Sequence, residues 1–356
     1  MGLSEKLGRF SWRLFVPMCI VLAISIVVLY SAGGGNWRPY ALSQLMKIIL
    51  GFGVFFFAAF TNIKTWIKSA YVIYAIALIM IILVTFVGHT GMGAQRWLNL
   101  GFIHIQPSEL IKIALVLALA RYFAWFNSVE LGQFKHYLVP ALMLLLPFAL
   151  IVAQPDLGTA LSLGMITVGV FYIVGANKKW FIIAAILGLM AAPVVWYGGL
   201  HDYQRGRIIT FLNPDSDVQG AGYQIHQAKI AFGSGGMIGK GYMKGSQSQQ
   251  SFLPEKQTDF IFTMFAEEFG MFGCLCLFAL IIAVLWQCYR VAFVSRNNFG
   301  KLLTLGLAAN FFIYFFINTA MVMGLLPVVG VPSPLLSYGG TAMMTLLLGF
   351  GLIECC

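Results

Sequence analysis

Acidic side chains are scarce in this chain: 12 in 356 residues, against 22 lysines and arginines. Charged residues make up 10% of the sequence, where a soluble domain carries about 25%. Apolar residues make up 60%, and the mean hydropathy is +0.87. No water-soluble core can hide so much apolar surface, so the bilayer must be the solvent. The basic residues do not cluster into a nucleic-acid face. They are spread over the segments between apolar runs, as cytoplasmic loops of membrane proteins are. No nucleic-acid partner is expected.

Other chemistries are missing too. The six cysteines, Cys19, Cys274, Cys276, Cys288, Cys355 and Cys356, lie in apolar runs or at the extreme C-terminus. None sits in a polar loop that could hold a disulfide framework or zinc, and no C-a-a-X box ends the chain. The five histidines, His89, His104, His136, His201 and His226, show no metal-ligand spacing. No G-x-S-x-G elbow is present. The stretch GSGGMIGKG (233–241) misses the Walker pattern, because Ser234 stands where Gly is needed and Gly241 where Ser or Thr is needed. It also misses the dinucleotide fingerprint at Ile238. It reads as a flexible turn, whose free backbone N–H groups beside Lys240 could hold a phosphate.

What remains is a series of apolar runs about as long as a bilayer-spanning helix. Ten are found, at 14–31, 41–60, 69–88, 107–126, 138–154, 158–175, 180–198, 261–288, 302–323 and 337–354. The fold class expected is an all-α integral membrane protein, residues 1–356 forming one polytopic domain. With the N-terminus inside, the inner segments hold Lys6, Arg9, Arg13, Lys64, Lys68, Arg121, Lys135, Lys178, Lys179, Arg290, Arg296 and Lys301, while the short outer loops hold only Arg38 and Arg96. That asymmetry orients the chain with both termini cytoplasmic. Segments 89–106, 199–260 and 324–336 then share the outer side. The second is a large extracytoplasmic loop between helices seven and eight.

Polar residues in such a chain are costly, so each needs a reason. Glu109 and Lys112 lie three apart on one helix face, either as an internal salt bridge or as the floor of an outward-facing polar cavity. Asp156 reads as a helix N-cap. At least one of Glu267 and Glu268 should face protein, and Lys47 either does so or snorkels. The loop 199–260 carries Arg205, Arg207, Lys229, Lys240, Lys244 and Lys256 against Asp202, Asp215, Asp217, Glu255 and Asp259. That set suits an anionic ligand at the membrane surface. GYQIHQAKIAF within it has the pattern of an amphipathic helix lying in the membrane interface. Asp259, in FLPEKQTDFIF, opens the eighth apolar run. It is either an N-cap or a partly desolvated carboxylate, whose raised pKa would make it a better base. Glu255 has no evident role.

The wording QPSELIK, QPDLGTAL, GAGYQIHQAKIAFGSGGMIGKGY, SQSQQSFLPEKQTDFIF and GLLPVVGVPSPLLSYGG resembles the shape, elongation, division and sporulation family over nearly the whole chain. The rod-shape branch is most similar, on the short N-terminus, RGRIITFLNPDSD and FLPEKQTDFIF; the division branch is second. The resemblance implies ten membrane helices and a glycosyltransferase that polymerises lipid II, a disaccharide-pentapeptide on undecaprenyl pyrophosphate, at the outer face of the bacterial cytoplasmic membrane. It implies a class B penicillin-binding protein, the transpeptidase, as partner.

The family's essential aspartate falls on Asp259, its tryptophan on Trp97, its intramembrane pair on Glu109 and Lys112, and its outer-loop lysine on Lys240. A sugar hydroxyl is a poor nucleophile, so a carboxylate base is needed. The departing pyrophosphate needs cations, for which Arg205, Arg207, Lys240 and Lys256 are candidates, or a divalent metal such as magnesium or manganese. No organic cofactor is implied. Trp97 could line the sugar path or anchor at the interface. A lipid II flippase and a non-catalytic scaffold for cell-wall enzymes stay open as alternatives.

Overall fold

The computed structural model describes residues 10–91, 94–99, 104–126, 130–199, 202–213, 220–249 and 255–356. Lys6, Arg9, His201, Asp215 and Asp217 lie outside the described residues. A helix lies on each of the ten apolar runs: α1 (Trp12–Ala32), α2 (Tyr40–Phe60), α3 (Ile63–Val87), α4 (Pro107–Phe123), α5 (Lys135–Ala153), α6 (Leu157–Val174), α7 (Lys178–Val194), α11 (Ile261–Val294), α12 (Asn298–Val322) and α13 (Gly340–Glu354). Seven of them are long and apolar enough to cross a membrane; α4, α7 and α13 are shorter. The chain is a nearly all-helical, multi-span membrane protein.

Local sequence sets several boundaries. Asn62 caps α3 by accepting from Lys64 N at 3.1 Å, and Asn297 caps α12 by accepting from Phe299 N at 3.1 Å. These caps start α3 and α12 earlier than the apolar runs indicate, because polar first turns carry no hydropathy signal. Asp156 caps α6 through Thr159 N, as expected. α4 is apolar around most of its circumference, which marks a buried helix. It packs against α3, α5, α6, α12 and α13, with most of its residues buried. α13 lies against α2, so closely that a Cβ on Gly51 would stand 2.4 Å from Leu347 Cδ1.

One segment between helices differs from the all-helical expectation, and another expected as a loop carries helices of its own. Three short strands, β1 (His89–Gly91), β2 (Ala94–Asn99) and β3 (His104–Ile105), form a small antiparallel sheet ordered β1-β2-β3. The strands are too short for period-2 patterning to show. Within 199–260 lie α8 (Asp202–Leu212), α9 (Ala221–Gly235) and the one-turn α10 (Ser246–Gln249). α9 is helical as expected, and most of its apolar face is spent on protein, with Ile230 exposed. Ile225, Ala228 and Ala231 are buried in the main core, and Phe232 meets Phe262 of α11 at 5.6 Å between ring centroids.

Candidate active site

Asp259 sits in the turn 255–260, immediately before α11. The residue before α11, Phe260, gives no side-chain cap, so Asp259 is not spent as an N-cap. Instead, the turn is gripped from outside at three successive carbonyls. Tyr338 N donates to Gln257 O at 2.8 Å, Ser337 Oγ to Thr258 O at 2.6 Å, and Asn318 Nδ2 to Asp259 O at 2.8 Å. The strap 324–339 that supplies two of these is itself anchored on the bundle: Ser25 Oγ donates to Leu336 O at 2.7 Å, and Gln44 Nε2 to Ser337 O at 3.1 Å. The glycine-, proline- and serine-rich wording of the strap is therefore a clamp on the turn.

Burial pushes the Asp259 carboxyl up to about 6, the Glu255 carboxylate pushes it the same way, and the Arg207 guanidinium opposes both. Glu255 thus has a role that its sequence position did not disclose. Its backbone adopts φ 57°, and its Oε2 accepts from Thr258 Oγ1 at 2.9 Å. The turn folds back on itself and keeps a second carboxylate close to Asp259. On the far side Gly330, whose φ of 73° favours glycine, lies beside the Asp259 Oδ2: a Cβ there would stand 3.6 Å from it, an ordinary contact. Lys256, in the same turn, has its ammonium pKa lowered by burial, partly offset by the Glu268 charge.

The glycine stretch 233–241 is not a free turn. α11 is broken at Gly270, whose φ of 65° and ψ of −166° are open to glycine. The break is filled by the loop: Lys240 N donates to Glu267 O at 3.0 Å, Gly241 N to Glu268 O at 3.1 Å, and Met271 N to Gly236 O at 3.0 Å. The backbone N–H groups expected to cradle a phosphate are thus taken by α11. The Lys240 Nζ lies 2.9 Å from Glu267 Oε1, which also accepts from Ser246 Oγ at 3.2 Å and Gln247 N at 3.0 Å. Glu267 is fully buried and Glu268 accepts from Ser31 Oγ, so both acids face protein.

Glu109 and Lys112 form the internal salt bridge, at 2.6 Å, inside the bundle. Tyr314 OH donates to the same Glu109 oxygen at 2.7 Å, and its ring lies 4.0 Å from the Lys112 Nζ. Tyr314 also lines a cavity with Ser333, Ser337 and Gly339 of the strap, so the pair stands below the clamp. Trp97 is on β2, half-buried, next to Arg96, which reaches the Pro155 carbonyl and the Asp156 carboxylate, 3.9 Å away. Arg205 donates to Tyr197 O at 3.0 Å and pairs with Asp202 at 3.6 Å, beside the C-terminal end of α7. Lys47 stacks on Tyr338 at 3.5 Å and so faces protein.

The structure therefore gathers Asp259, Glu255 and Arg207 electrostatically. It keeps Lys240, the Glu109–Lys112 pair and Arg205 in separate networks of their own. Asn318, Ser337 and Gly330 were missed in the sequence. An asparagine inside an apolar helix was the available signal for the first.

The family model described as cell cycle protein, FtsW/RodA/SpoVE, matches residues 6–356. The chain belongs to this family. Among its relatives, the peptidoglycan glycosyltransferase MrdB of Escherichia coli K12 is 39% identical over 94% of this chain and 89% of its own. The MrdB of Helicobacter pylori 26695 is 37% identical over 99% and 92%. A probable peptidoglycan glycosyltransferase FtsW of Geobacter sulfurreducens is 34% identical over 99% and 96%. The fold of the FtsW/RodA/SpoVE family is found in solved structures. A chain from a peptidoglycan synthase complex superposes with a TM-score of 0.84 at 27% identity, over 97% of both chains. The crystal structure of Thermus thermophilus rod shape determining protein RodA gives 0.72 at 25%, over 97% of this chain and 96% of that one.

Proposed function

We propose that this chain is a peptidoglycan glycosyltransferase that polymerises lipid II, with Asp259 as the general base. The observation that carries the reading is a carboxylate, held near neutrality by burial and by Glu255, on a turn clamped at three consecutive carbonyls. A base must be poised near the working pH and must not wander, and both conditions are met here. Asp259 takes the proton of the acceptor sugar's 4-hydroxyl. The hydroxyl oxygen bonds to the donor's anomeric carbon as the bond from that carbon to the pyrophosphate oxygen breaks. An α-linked donor giving a β-linked product is an inversion, so one displacement suffices and no covalent enzyme intermediate is needed.

Arg207, whose charge acts on Asp259, and Lys256, in the same turn, serve the departing pyrophosphate. Among the described residues no three His, Cys, Asp or Glu gather into a metal cluster. Magnesium is commonly held by one or two carboxylates together with substrate phosphates. Asp259 must stay uncoordinated to take the proton, so such an ion would rest on the substrate's own pyrophosphate oxygens. There it would supply charge stabilisation to the leaving group. The site faces outward from the bacterial cytoplasmic membrane, as the lysine and arginine asymmetry supports. A class B penicillin-binding protein is the partner that crosslinks the strands, and the rod-shape branch fits better than the division branch.

The test is incubation of the detergent-purified protein with lipid II. Glycan strands are expected from the wild type and none from Asp259→Ala. A flippase would instead move lipid II across vesicles whether or not Asp259 is present, without making strands.

A further inference from the structure

Asn318 lies inside the bundle on α12, with no exposure to solvent. Its carboxamide spends both hydrogens on backbone: one on Asp259 O at 2.8 Å, the other on Val331 O at 2.8 Å. One side chain, mounted on a helix, thus ties the turn that carries the carboxylate to the strap that passes over it. The other ties differ in kind. Ser337 Oγ and Tyr338 N join strap to turn, so they keep the two together without fixing either to α12. Val331 is next to Gly330, which lies against the Asp259 carboxylate.

Asn318 is also an awkward choice for folding. Its Oδ1 is buried without a hydrogen-bond partner among the described residues. A buried, unmatched acceptor costs stability, which an apolar residue of similar size would not incur. The amide is worth its cost where its two donors set a position that matters.

We propose that Asn318 is a positioning residue for the reaction: it fixes Asp259 against Gly330, at the distance and angle at which the carboxylate meets the acceptor hydroxyl. The inference rests on Asp259 being the base. Among the described residues the charges acting on that carboxylate are Glu255, in its own turn, and Arg207 of α8; the strap is uncharged in sequence, and Asn318 of α12 meets the backbone carbonyl of Asp259. Releasing the turn from Asn318 changes the distance of Asp259 from Arg207 of α8, so the acid limb of the rate profile should move as well as the rate.

The experiment uses the full-length protein with lipid II and measures kcat, KM and the pH dependence of kcat for wild type, Asn318→Leu, Asn318→Gln and Asp259→Ala. Asn318→Leu is expected to lose about 10²-fold in kcat, the scale of an ångström-level misplacement, with KM within about threefold of wild type and a displaced acid limb. Asn318→Gln keeps the amide but moves it by one methylene, and is expected to fall between. If Asn318→Leu does not fold, Asn318→Gln decides: a lowered kcat with a shifted limb supports the assignment. A variant with wild-type kcat and profile per folded molecule, whatever its melting temperature, overturns it. Activity surviving in Asp259→Ala overturns the base reading instead, so the two failures are told apart.

Discussion

The Lys240 ammonium lies 2.9 Å from the Glu267 carboxylate, across the junction between the glycine loop and the broken helix α11. Glu267 is fully buried, so removing its cation leaves a charge with reduced compensation. Breaking a buried pair costs about 3–5 kcal/mol. Here the lower end is expected, because Ser246 and Gln247 still donate to Glu267. Lys240→Met should lower the melting temperature in detergent, and the double variant Lys240→Met, Glu267→Gln should recover most of it. A double variant no better than the single would contradict the pairing.

The same junction depends on Gly270. A Cβ there would stand 2.3 Å from Gly239 N, and φ of 65° is itself unfavourable for any side chain. Gly270→Ala should therefore release residues 236–241 from α11. Hydrogen exchange reads this directly: the amides of Lys240 and Gly241, which donate to Glu267 O and Glu268 O, should lose protection. Unchanged exchange would show that the loop is held elsewhere.

The pH dependence carries a sign for each neighbour of Asp259. The base works deprotonated, so the rate should rise as pH passes about 6 and level off above it. Glu255 raises the Asp259 pKa. Glu255→Gln should therefore move the acid limb to lower pH. Arg207 lowers it, and Arg207→Gln should move the limb to higher pH. Limbs that stay in place, or move the same way in both variants, would contradict the electrostatic assignment.

Inside the bundle, Tyr314→Phe removes the hydrogen bond to Glu109 and keeps the ring over Lys112. A bond to a charged group contributes about 1.5–3 kcal/mol, and thermal unfolding should show a loss of that size. Lys112→Met should cost more, because it leaves Glu109 buried without its counter-charge.

Much of the molecule was legible in the sequence, and the failures have physical causes. Long apolar runs report helices well, so ten helix positions emerged. Their ends did not, because caps such as Asn62 and Asn297 are single polar residues outside the run. The strands of the small sheet are too short to leave a pattern. Asp259 stood out as a rare acid at a helix mouth, and the strap stood out by its wording. That the strap clamps the turn depends on hydrogen bonds between residues about 60 to 80 positions apart, such as Asn318 to Asp259 and Ser337 to Thr258, which no local signal carries. The glycine stretch misled for a related reason. Its N–H groups look free in a one-dimensional reading and are consumed by a helix break that only Gly270 hints at.

The most direct measurement of the central claim is the polymerisation rate of Asp259→Asn against wild type, at saturating lipid II and a pH above the Asp259 pKa, normalised to folded protein. Asparagine preserves the shape of the turn and its carbonyl contact with Asn318 but cannot accept the proton. The account predicts a fall of about 10²–10⁴-fold. A rate within tenfold of wild type would contradict it.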